Sequence, residues 1–204
     1  MEVLDLKKRL AKLYKPSARL PVLVKVPPMR FLMIDGKGGI GGEGFQDAVK
    51  SLYGLAYPVK FAAKKQLGLV YPVMALEGLY WNADGSENIS IDNRESLSWR
   101  LMIMLPDAVP GELVERTREK VATKKDLPRL ADVRVQTFSE GPSVQILHMG
   151  PYADEGPAVK RLFDFAAEQG FEVAGAHHEI YQSDPNKVDT TKLKTVLRYP
   201  VRKP

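Results

Sequence analysis

One order of pattern occurs twice along this chain: strand, glycine turn, helix, strand, strand. The first copy spans about residues 20–105 and the second about 143–201. In the first, the extended run Arg30–Ile34 ends in a glycine cluster, Gly36 to Gly42. Phe45, Ala48, Val49, Leu52, Tyr53 and Ala56 then recur at helical spacing. The pattern predicts strands over Leu67–Tyr80 and Leu97–Leu105, the latter alternating Leu97, Trp99, Leu101, Ile103 and Leu105 with Ser98, Arg100, Met102 and Met104. In the second copy, a strand at Val144–Met149 meets the turn Gly150-Pro151-Tyr152. A helical stripe of Ala158, Val159, Leu162, Phe163 and Ala166 follows, then strands at Val173–Gln182 and Leu193–Val201. A helix over 111–125, between Pro110 and Pro128, would join the copies, with a strand at Asp132–Phe138 after it. The expected class is α+β: duplicated β-α-β-β units in a mixed sheet, helices on its outer face and a ligand cleft between the halves.

Two further segments complete the organisation. Val3, Leu6, Leu10 and Leu13 predict a short amphipathic helix over 3–14. The polar stretch Asn82–Ser96 is a connection long enough to act as a lid or binding loop.

Composition narrows the chemistry. The 204 residues include no cysteine, which excludes disulfides, thiolate catalysis and iron–sulfur clusters. No apolar run approaches the roughly 20 residues of a membrane span, and the N-terminus lacks a signal-peptide core, so a cytoplasmic protein is expected. The net charge of +5 invites a nucleic-acid reading. Its distribution argues otherwise. Residues 185–204 hold six basic residues against one acidic, and residues 1–15 hold five against two. The stretch 16–184 holds 19 basic and 22 acidic residues, a mildly acidic body between basic ends. Direct nucleic-acid binding is not expected.

The glycine cluster lacks both the Gly-Lys-Ser/Thr of a P-loop and the Gly-x-Gly-x-x-Gly setting of a dinucleotide fold, so it reads as a strand-to-helix loop. Three histidines occur, His148, His177 and His178. Adjacent strand residues point to opposite faces, so His177 and His178 cannot easily share a metal. His177 and Glu179 share a face, but two ligands fall short of a catalytic metal site, and neither metal nor cofactor is expected. His148 reads as a polar residue at a strand end.

The most informative stretch is Ala176-His-His-Glu-Ile-Tyr-Gln-Ser-Asp-Pro185. As a strand it places His177, Glu179 and Tyr181 on one face, and His178 and Ile180 on the other. A carboxylate beside a phenol in an apolar run is costly unless it meets partners or a ligand. The competing reading is an acid paired with a surface basic residue. Glu77, in Met74-Ala-Leu-Glu-Gly-Leu-Tyr-Trp81, holds the corresponding place in the first copy. Pseudo-symmetry would set Glu77 and Glu179 facing each other across the cleft. Tyr80, Trp81 and Trp99 would line it, against the plainer reading of these rings as core.

These segments resemble the GyrI-like small-molecule-binding domain family of the SOUL/GyrI-type superfamily. The resemblance is carried by Arg30-Phe-Leu-Met-Ile-Asp-Gly36, Phe45-Gln-Asp-Ala48, Leu76-Glu-Gly-Leu-Tyr-Trp81 and Val144-Gln-Ile-Leu-His-Met-Gly-Pro-Tyr152. His177-His-Glu-Ile-Tyr-Gln-Ser-Asp-Pro185 and Lys192-Leu-Lys-Thr-Val-Leu-Arg-Tyr-Pro-Val201 extend it over nearly the whole chain, as one domain over 1–204. Tyr80 stands where a tryptophan is usual, and Asn186 where an arginine is.

The resemblance implies a planar aromatic or cationic small molecule as partner. The family includes effector domains of multidrug-responsive activators and inhibitors of DNA gyrase. Members resembling the stand-alone subgroup hydrolyse cyclopropane-bearing DNA-alkylating toxins. In the drug-sensing members a buried glutamate matching Glu179 by position attracts cationic, planar ligands. Ring opening by water needs a base and an acid, which makes Glu179 the expected base or water orienter, Tyr181 the hydrogen-bond donor and Glu77 a second carboxylate. Tyr80, Trp81, Trp99 and Tyr152 would stack on the ligand, with His148 and His177 nearby. Sequestration without turnover, a gyrase contact and a homodimer stand as further expectations.

Overall fold

A computed structural model describes residues 1–82 and 97–204. In chain order the strands and helices are β1 (Glu2–Val3), α1 (Leu6–Arg9), α2 (Ala11–Tyr14), β2 (Val22–Val26), β3 (Met29–Lys37), α3 (Glu43–Leu67), β4 (Leu69–Val70) and β5 (Leu76–Asn82). Then come β6 (Leu97–Leu105), α4 (Gly111–Ala122), β7 (Arg134–Phe138), β8 (Gly141–Met149), α5 (Gly156–Glu168), β9 (Glu172–Val173), β10 (His177–Tyr181) and β11 (Lys194–Arg202). The α+β class is borne out. Except for β1 and β4, whose pairing is parallel, the strand ladders within each unit are antiparallel, where a mixed sheet was expected. No described helix is long and apolar enough to cross a membrane.

The chain divides into two compact units. The first holds β1, α1, β3, α3, β4, β6, α4 and β7. Strand β3 pairs with β6 along one edge and β7 along the other. Phe31 to Ile34 are all fully buried, and α3 packs against β3 and β6 with α4 alongside it. Helix α3 runs well past the expected stripe: Val59 and Ala63 continue its buried face beyond Pro58. It stops at Gly68, whose φ of 65° is the left-handed cap that glycine takes without strain. The residues from Leu67 that read as the start of a strand are therefore the end of this helix, the short β4 and an irregular link through Pro72. The expected helix over 3–14 is broken as well. The amides of Glu2 and Leu4 bond the carbonyls of Gly68 and Val70, so the chain starts as a strand and turns helical only at Leu6.

The second unit holds α2, β2, β5, β8, α5, β9, β10 and β11. Its strands lie in the order β2-β8-β11-β10-β5, with β9 on the far end of β11. One face carries Val144, Ile146, Leu197, Tyr199 and Val201, covered by Ala158, Leu162 and Ala166 of α5. At about 25 cal/mol per Å² of buried apolar surface, this layer is the main driving term for the unit. Gly175, with φ 100°, separates β9 from β10 in what the pattern read as one strand. The lid proposed for Asn82–Ser96 falls, beyond Asn82 at the end of β5, outside the described residues.

Candidate functional site

The ladder between β10 and β5 decides which side chains meet. His177 lies across from Tyr80, Glu179 across from Gly78, and Ile180 across from Glu77. With period-two alternation, His177, Glu179, Tyr181, Gly78 and Tyr80 share the face covered by α5. Glu77, Leu79, Trp81 and His178 share the opposite face. On β11, Thr195 and Leu197 lie across from Tyr181 and Glu179, adding Thr195 and Tyr199 to the first face.

That first face is a buried polar cluster. His177 Nε2 is 3.0 Å from Glu179 Oε1 and 4.0 Å from Glu155 Oε2. Glu155 comes from the N-terminal end of α5 and is 1% exposed, while His177 and Glu179 are each 6% exposed. The phenols of Tyr80 and Tyr181 are 2.5 Å apart, and Tyr181 also bonds Glu179. Tyr80 donating to Tyr181 and Tyr181 to the carboxylate is the direction that uses both protons. The Tyr152 ring meets Tyr181 edge-on at 5.8 Å, and the Tyr199 ring lies 5.0 Å from His177. Gly78 is required here, because a Cβ at this position would overlap the Tyr80 ring.

Burial and the negative charge of Glu179 hold the Tyr80 and Tyr181 phenols well above their usual pKa. Tyr152 is raised by burial and by both Glu179 and Glu155. These hydroxyls stay protonated at any working pH and act as hydrogen-bond donors. His148 Nε2 lies 2.9 Å from the Pro151 carbonyl, fastening the turn that leads into Tyr152 and Glu155.

The opposite face holds a second buried network of different character. His178 is gripped from both ring nitrogens, Nε2 by Glu77 at 3.0 Å and Nδ1 by Glu140 at 2.9 Å. Tyr14 donates to Glu77 at 2.5 Å. Arg198 donates to Glu140 at 3.1 Å, to Gln145 at 2.9 Å and to the Leu13 carbonyl at 2.7 Å, while Gln145 donates to the Lys12 carbonyl. Burial disfavours a charged His178, but Glu140 and the hydrogen bonds the ring donates to both carboxylates outweigh it and lift the imidazole to about 9. Two carboxylates against an imidazolium and a guanidinium leave this network neutral, and it ties α2 to the sheet.

Three expectations are corrected by this geometry. Glu77 does not face Glu179, because the register sets them one position apart and alternation turns them to opposite sides. Trp81 alternates to the Glu77 face, away from the cluster. Trp99 is core of the first unit, 1% exposed, edge-on to Phe45 at 5.3 Å and roofed over Gly36, where a Cβ would overlap the indole. The cluster instead gathers His177, Glu179, Tyr181, Tyr80 and Tyr152, with His148 behind the turn. Glu155 went unrecognised because a glutamate just before a helix reads as an ordinary exposed first-turn acid. Tyr199 and Thr195 were hidden in a run that reads as plain strand.

The family profile of the GyrI-like small molecule binding domain matches residues 21–202. The chain belongs to this family. Solved structures place this GyrI-like chain close to stand-alone relatives. An uncharacterized conserved protein from Listeria innocua is 37% identical with a TM-score of 0.90, covering 98% of this chain and 100% of its own. Two proteins described as hydrolases from the same organism are 35% and 36% identical, with TM-scores of 0.86 and 0.88 and the same coverage. No curated protein matches this GyrI-like chain.

Proposed function

We propose that this GyrI-like protein hydrolyses a planar, electrophilic small molecule, namely a cyclopropane conjugated to a dienone of the DNA-alkylating type. Glu179 is the base that acts on water. As the water oxygen bonds to the ring methylene, Glu179 takes its proton and the carbon–carbon bond to the dienone breaks. The electron pair moves through the conjugated system to the carbonyl oxygen, which receives in turn the proton that Glu179 took and becomes a phenol. One water is added overall. Tyr181, whose one proton is held by Glu179 before the ligand enters, turns it to the developing oxyanion, with Tyr80 behind it, and such positioned donors contribute most where charge develops. Tyr152 supplies an aromatic edge for the flat ligand.

The observation that carries this reading is Glu179 itself: a buried carboxylate bonded by a phenol and 3.0 Å from an imidazole, in a family that binds small molecules. Two similar proteins described as hydrolases support turnover over storage. Glu155 takes the place first expected for Glu77, whose oxygens are held by Tyr14 and His178. Incubating a cyclopropane-bearing alkylator with a hundredth of its amount of protein, and following products by mass spectrometry, tests the reading. Ring-opened hydrate in excess of protein is expected. Intact toxin bound one-to-one would instead leave a sequestering protein for planar or cationic compounds, which two carboxylates among aromatic rings also suit.

A further inference from the structure

We propose that Glu155, His177 and Glu179 form a binding site for one divalent transition-metal ion, with Zn²⁺ and Mn²⁺ as its natural probes. One ligand atom from each residue lies within 4.8 Å of the other two. Four-coordinate bonds of about 2.0–2.1 Å place neighbouring donor atoms about 3.3 Å apart. The imidazole nitrogen sits at 3.0 Å from one carboxylate and 4.0 Å from the other, bracketing that separation. To seat an ion, the carboxylate oxygens must draw in from separations of up to 4.8 Å.

The donor set is one imidazole and two carboxylates, three protein ligands with positions left for water. That is the count of an open site rather than a closed structural one. Imidazole favours zinc and iron, and carboxylates favour harder ions such as manganese, so the mixture selects among divalent first-row metals and against thiophilic ones. Two carboxylates converging on one histidine in a buried region also favour a cation between them.

A second observation is independent of the three ligands. Thr195 Oγ1 is buried without a hydrogen-bond partner among the described residues, on the cluster's face and across the ladder from Tyr181. Buried polar atoms are rarely left so, and a metal-bound water is suited to satisfy this hydroxyl. The two-ligand count from strand alternation alone, His177 with Glu179, becomes three once α5 delivers Glu155.

The inference does not depend on the hydrolase reading, since ion uptake is read on the protein without substrate. Chelator-treated protein is dialysed against Zn²⁺ and its metal content is measured, alongside E155Q, E179Q and a control, E172Q, which alters an exposed acid paired with Arg202. One Zn²⁺ per chain is expected for the wild type and the control, with affinity at least tenfold weaker in the two site variants. Absence of stoichiometric uptake by the wild type, or equal uptake by both site variants, overturns the site. If the site variants do not fold, zinc absorption spectroscopy on the wild type decides. A first shell with one imidazole and otherwise oxygen supports the site, and two or more imidazoles overturn it.

Discussion

Glu77 and Glu179 occupy paired strands one register step apart and point to opposite faces of the same sheet. That single step divides the second unit's polar groups by role. Glu77 joins a closed, neutral network with His178, Glu140 and Arg198, and Glu179 joins phenols, an imidazole and Glu155.

The Glu77 side of this division is a stability element. Breaking a buried charge pair by removing one partner costs about 3–5 kcal/mol. Glu77→Gln should therefore lower the urea midpoint markedly, while the folded fraction keeps its turnover within about threefold. Loss of turnover with unchanged unfolding would move Glu77 into the reacting site.

The same network sets a pH profile. Burial would raise the Glu140 carboxyl, but His178 and Arg198 overcome it and hold it below its usual value. The unfolded chain then binds the proton more readily, so Glu140's contribution is complete above the ordinary carboxylate range and lost as pH falls through and below it. His178 runs the other way. Lifted from 6.5 to about 9, it contributes fully below 6.5 and progressively less as pH rises toward 9. Denaturant midpoints should be flat between about pH 5 and 6.5 and decline on both sides. Glu140→Gln should blunt both limbs, because Glu140 is the main group that raises His178; an unaltered alkaline limb would exclude it from that role.

Trp99 is placed as core, and its removal tests that placement. Trp99→Ala should destabilise the protein by about 3–5 kcal/mol, as for other buried aromatic truncations. Gly36→Ala should also destabilise it, through overlap with the indole. Normal unfolding of W99A combined with lost ligand affinity would make the ring a ligand wall instead.

Much of this was legible in the sequence, and the failures have definite causes. Alternation in His177-His-Glu-Ile-Tyr181 separated the two faces correctly, because period two is a property of any strand. Which residue of β5 lies across from Glu179 depends on register between two distant segments, and neither segment encodes it alone. Pseudo-symmetry supplied a guess, and it was off by one position. In α3 the apolar stripe continues through Val59 and Ala63, but Pro58 reads as a breaker. The apolar Leu67, Leu69, Val70 and Tyr71 then mimic a strand. Glu155 is marked out only by its place in space, buried just before α5 with its carboxylate 4.0 Å from His177 of β10.

The phenol pair offers a graded probe of the cluster. Tyr181 touches Glu179 directly and Tyr80 acts through Tyr181. Tyr181→Phe should lower kcat by about tenfold to a hundredfold, within the range for a lost positioned donor. Tyr80→Phe should cost less than Tyr181→Phe and leave KM nearly unchanged. The opposite ranking would contradict the direction of the relay.

The most direct test compares wild type and Glu179→Gln in a multiple-turnover assay with a cyclopropane-bearing alkylator, alongside ligand affinity measured on the same samples. The account predicts catalytic ring opening by the wild type, and a loss of at least a hundredfold in kcat for E179Q with affinity for the planar ligand largely kept. Unchanged turnover in a folded E179Q protein would contradict it.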